Sequence, residues 1–241
     1  AGGFVLALGT IAPGGSTGEA LATPQETQPP ARELLDELER AYRVLSAAEK
    51  PLTDVKGFRS AHFGMTMEQV EQAIMRDYAI QADAILKDDH ALEKTVSFVI
   101  EVRDLIPDGG GSQVAYIFGY QSKRLIQVNV LWGWPVFPEA DPESVVATAN
   151  ILRRHFADKR FKKDGLLINA PLSQGTIIVF RGSDANDHMV LVQLTSAEVV
   201  PAGEENSKEK KEKPVARVSL RLSYISDPKK LDIFRLSPDK F

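Results

Sequence analysis

Cysteine is absent from the 241 residues. That excludes disulfides, thiolate metal sites, a cysteine nucleophile and a lipid-modified cysteine within the chain. Histidine is scarce, with only four residues. His62, His90, His155 and His188 never stand at H-x-x-x-H or H-E-x-x-H spacing, so the helical zinc motif is missing too. Long apolar runs are also missing: the clearest, from Phe4 to Ala12, is far short of the roughly 20 residues that a bilayer span needs. Nor is there a basic half. Lys and Arg number 29 against 33 Asp and Glu, a formal charge of −4, and no nucleic-acid footprint is expected. What is present is ordinary for a folded protein: 43% hydrophobic and 26% charged residues, at a length that fits one large or two small domains.

Residues 1–30 differ in composition. Their only charges are Glu19 and Glu26, amid Gly, Ala, Thr and Pro. The apolar run has the length of a signal-peptide core, and Ala20-Leu21-Ala22 resembles an A-x-A cleavage site. The segment reads as an export-signal remnant or as an extended apolar arm. Either reading places the protein in the periplasm or outside the cell.

Pro29-Pro30 precede an amphipathic helix expected over 31–49, with Leu34, Leu35, Leu38, Tyr42 and Leu45 on one stripe. Thr66 followed by Gln69 is a capping box, which predicts a helix over 67–78. Strand patterns follow: a weak one at 80–87, a turn at Asp88-Asp89-His90, and a strong one at 95–105. A hairpin is expected over 113–120 and 125–132. Trp132-Gly-Trp-Pro-Val-Phe-Pro138 reads as a rigid connector. Asp141-Pro142 then opens a helix running to about 159, with Asp as cap and Pro in the first turn. Strands return at 166–169, 175–181, 188–196 and 215–225. This order predicts an α+β fold of two similar units, each with helices packed on an antiparallel sheet of about four strands. The units would span 31–138 and 139–241, the second carrying a charged loop at 203–214. That loop holds four acids and four bases and so has no net charge with which to grip a membrane or RNA.

Phe63-Gly-Met-Thr-Met-Glu-Gln-Val70 resembles the G-M-T-x-E-x-V signature of small bacterial envelope domains. These are the SmpA/OmlA family, whose member in the β-barrel assembly machinery is an outer-membrane lipoprotein, and the structurally similar β-lactamase-inhibitor repeats. The resemblance implies a helical pair on an antiparallel sheet, and domains that bind other proteins. The chain departs from the lipoproteins in having no cysteine to carry a lipid.

Catalytic signatures are weak. Gly14-Gly-Ser-Thr-Gly18 matches G-x-S-x-G but lacks the flanking strand and helix of a nucleophile elbow. Asp184-x-Asn186-Asp187 before His188 offers oxygen ligands, yet it lacks the glycine and distal glutamate of a calcium loop; Asp and Asn are also ordinary turn formers. Glu101 and Arg103 share a strand face and read as a solvent-side charge pair. No catalytic, cofactor or metal residue is therefore assigned, and no cofactor is expected.

The expected function is that of an exported, non-enzymatic binding or scaffolding protein, an accessory subunit of a bacterial envelope assembly. Its contact residues would be Phe4, Val5, Leu6, Leu8 and Ile11 of the arm, with Trp132, Trp134 and Phe137 of the connector. Two alternatives stand beside it. One is a periplasmic enzyme or small-ligand carrier with a site between the two sheets, marked by His62 or Glu101 pointing in. The other is a secreted protein inhibitor, marked by a large exposed sheet face. The sequence assigns a protein partner, no nucleic acid and no transmembrane segment, and leaves the oligomeric state open.

Overall fold

The computed structural model describes Arg32, residues 35–40, residues 51–199 and residues 215–236. Arg32 and residues 35–40 are helical, with Leu35 and Leu38 exposed. They belong to a unit of their own, Ala1–Glu49, separate from the compact unit Lys50–Phe241. The rest of the expected 31–49 helix, the arm 1–30 and the charged loop 203–214 lie outside the described residues.

The larger unit begins with a tight hairpin, β1 (Gly57–Phe58) and β2 (Ala61–His62). Helix α1 (Met67–Tyr78) follows. Its capping box is complete: the Thr66 hydroxyl accepts from the Gln69 amide, and the Gln69 side chain accepts from the Thr66 amide. A 3-10 turn at Ala82–Ala84 leads to β3 (Leu86–Asp89), β4 (Val96–Val102), β5 (Ser112–Phe118) and β6 (Leu125–Gly133). Helix α2 (Pro142–Ala157) starts as expected, its N-cap Asp141 accepting from the amides of Glu143 and Ser144. Strands β7 (Leu167–Ser173), β8 (Thr176–Ser183), β9 (Met189–Val199) and β10 (Val215–Ile225) complete the unit.

The expectation of two similar helix-on-sheet units is overturned. All eight strands from β3 to β10 form one antiparallel sheet in the order β3-β4-β5-β6-β10-β9-β8-β7. The junction is β6 against β10, where Leu220 pairs with Trp132, Leu222 with Val130 and Tyr224 with Val128. As edges of separate sheets, these strands would leave a row of unpaired amides and carbonyls. Their matching apolar alternation instead lets them zip together and continue one buried face. Smaller corrections accompany this. The 80–87 strand is replaced by the 3-10 turn and a strand set later, so Asp88 and Asp89 lie inside β3 instead of a turn.

That face carries the core. Val114, Tyr116 and Phe118 of β5 continue through Val128, Val130 and Trp132 of β6, Leu220 and Leu222 of β10, and Val190 and Val192 of β9, all buried. Both helices pack on this side. The Tyr78 hydroxyl of α1 lies 3.3 Å from that of Tyr116. From α2, Phe156 stacks on Phe180 at 5.5 Å and meets the Tyr224 ring at 6.4 Å. Val145 abuts Gly133, whose φ of +74° and contact with the Val218 carbonyl both exclude a side chain.

Candidate functional site

The sheet has a second face that is helix-free among the described residues. Side chains alternate along each strand, so Val99, Ala115, Ile117, Asn129, Leu131 and Ser219 point away from both helices. They stay half-buried, whereas Glu101 and Arg221 of the same face are exposed. The surface is poor in charge and cross-linked by side chains: Gln127 donates to Asn129 at 2.8 Å, Thr176 and Thr195 hydroxyls lie 3.2 Å apart, and Arg221 donates to Gln193. A polar hollow of about 340 Å³ sits among Leu131, Leu172, Thr176, Gln193 and Arg221.

A second concavity, of about 350 Å³, lies on the helix side. Trp132, Leu222 and Tyr224 of the sheet form its floor. Ile151, Leu152, His155 and Phe156 of α2 form one wall. Ile106 and Pro107 from the loop after β4, with Phe58 and Arg59 of the β1–β2 hairpin, close the other. The Tyr224 ring is flanked by Phe58 at 5.4 Å, and burial pushes its hydroxyl up to about 12. Burial and the Lys159 charge hold His155 below its ordinary value.

Of the residues expected to touch a partner, the structure describes the three of the connector. Phe4, Val5, Leu6, Leu8 and Ile11, like the Gly14–Gly18 motif, lie outside the described residues. Trp132 is 1% exposed and belongs to the core. Trp134 is 41% exposed with the Arg217 guanidinium 4.8 Å over its ring. Phe137 is half-buried and covers Gly111. The aromatic connector is thus split between the interior and the surface.

The chemistry candidates resolve into structure. Asp184 is buried and accepts from the amides of Val55, Asn186 and His188, so this acidic turn is a backbone clasp. His188 Nδ1 lies 3.2 Å from Asp184 Oδ2 but off the line of a hydrogen bond. The His90 ring accepts from the Glu93 amide. His62 and Glu101 are exposed and line neither hollow. The expected cleft between two sheets of about four strands has no counterpart in the continuous sheet. Among the described residues no group of three or more His, Asp or Glu could hold a metal ion, and no helix is long and apolar enough to cross a membrane.

Sequence reasoning missed the helix-side concavity, whose lining comes from positions 58 to 224. The available signal was Trp132, an indole amid the apolar alternation of a central strand. No protein family, curated protein or solved structure matches the chain.

Proposed function

We propose that this chain is an exported, non-enzymatic binding protein that presents the helix-free face of its sheet to a protein partner within an envelope assembly. The observation that carries this reading is that face itself: eight strands wide, low in charge, half-buried at its centre and rich in side chains able to donate and accept. Such a surface buries against a partner at little desolvation cost and fixes register through hydrogen bonds. The resemblance of the Phe63–Val70 stretch to protein-binding envelope domains supports the same reading, as does the apolar arm. Inhibition of a secreted or periplasmic enzyme is the second reading, favoured by the breadth of that face.

The test is capture from envelope extract by the full chain, compared with an Ala115→Arg/Leu131→Arg variant and with the chain lacking residues 1–30. The expected result is that the double variant, folded by circular dichroism, loses proteins that the wild type retains. The same set retained by all three chains would overturn the assignment of this face.

A further inference from the structure

We propose that the concavity between α2, the β1–β2 hairpin and the β6–β10 junction binds a small anionic amphiphile, a carboxylate with a short apolar tail. This site is independent of the helix-free face, because neighbouring residues on one strand point to opposite sides of the sheet.

Four observations converge on it. The volume of about 350 Å³ falls at the lower end of the roughly 300–1,000 Å³ of small-molecule sites. The lining is aromatic and aliphatic, which suits an apolar tail. Its ionisable members besides Tyr224 are Arg59 and His155, and no carboxylate lines it, so an incoming anion meets the Arg59 charge and no repelling one. Finally, Trp132 on the floor is 1% exposed, and its indole N–H has no acceptor among the described residues. The N–H itself is buried, so the ring offers the concavity an apolar surface and its resonance reports what packs there.

Arg59 is built for the mouth of such a site. It sits at the hairpin tip with φ of 52°, a left-handed conformation that disfavours a non-glycine residue. Ser60 pins that tip to α1 by donating from its amide and hydroxyl to the Asp77 carboxylate, at 2.9 and 2.6 Å. With both Asp77 oxygens engaged by Ser60, the guanidinium donates, among the described residues, only to the Asp77 carbonyl at 3.2 Å and rests on the Tyr78 ring. Its remaining N–H groups are free to take a carboxylate in a fork. An adjustable apolar wall of α2, led by Ile151 at 44% exposure, would admit the tail.

The experiment titrates the full chain with decanoate below its micellar concentration, and in parallel with decanol. The two indole N–H resonances are followed by NMR, and Trp134→Phe identifies which belongs to Trp132. Decanoate should shift the Trp132 resonance saturably and leave that of Trp134 in place. Arg59→Gly suits the left-handed backbone and should weaken decanoate about tenfold or more while hardly changing decanol. Ile151→Trp, a surface substitution that fills the mouth, should weaken both. An unmoved Trp132 resonance, or equal binding of acid and alcohol that Arg59→Gly leaves unchanged, would overturn the proposal.

Discussion

Asp232 shows how much one carboxylate can organise. It accepts from the amides of Gln121 and Ser122 at 3.0 and 2.8 Å, while its own carbonyl accepts from Tyr120. These bonds fasten the C-terminal segment across the β5–β6 turn. Gly119 lies directly beneath, and a Cβ there would collide with the Asp232 carboxylate and the Ser122 hydroxyl. Burial raises the Asp232 carboxyl, but the hydrogen bonds from Ser122 and the two amides outweigh it and hold the group below its ordinary 3.8. The unfolded chain therefore takes up this proton first as pH falls. The contribution is present above about pH 3.8 and is lost as pH drops through the lowered value. Asp232→Asn should lower the urea midpoint at pH 7, and the gap from wild type should narrow at pH 2.5. Gly119→Ala should lower the midpoint in the same direction by displacing the carboxylate. A buried counterpart is Asp184, where Ala would leave three amides without their acceptor. The expected loss is about 3 kcal/mol, measured by urea unfolding.

Among elements, the sheet edges carry the clearest consequence. On β7, Ile168 and Leu172 are exposed, a pattern that invites pairing with another chain. Pro171 removes a donor from this strand, Asn169 turns through φ of 52°, and the pairing register breaks between Pro171 and Ser173. The opposite edge, β3, is only four residues long and carries Lys87, Asp88 and Asp89. Pro171→Thr should therefore produce concentration-dependent association, visible by light scattering after size exclusion, whereas wild type should show less. The elements themselves were largely legible from sequence. Alternation of Val96, Phe98, Ile100 and Val102 marked β4, Thr66 with Gln69 marked α1, and Asp141-Pro142 marked α2. The β1–β2 hairpin was not, because two residues per strand carry no period to read. The β6–β10 junction was hidden for another reason: an apolar alternation looks the same whether a strand ends a sheet or continues it. The helix-side site was illegible because its parts approach only after that junction forms, and nothing local in Arg59 or Ile151 announces a common cavity.

At the scale of the molecule, one continuous sheet predicts one cooperative transition for the larger unit. The core bridges the junction: Trp132 and Val130 on one strand face Leu220 and Leu222 on the other, and α2 reaches both halves, through Val145 against Gly133 of β6 and through Phe156 against Phe180 and Tyr224. Two separate units would respond independently to a core cavity placed in one of them. A shared core would spread the loss across both halves, since every amide protected by global unfolding reports the same free energy. Leu222→Ala removes a buried side chain at the junction and should cost about 2–5 kcal/mol. Hydrogen exchange read by mass spectrometry should then show the slowest amides of β5 and of β9 losing protection by the same factor. Loss confined to β9 and β10, with β5 untouched, would mean that the two halves of the sheet open separately despite their hydrogen-bonded junction.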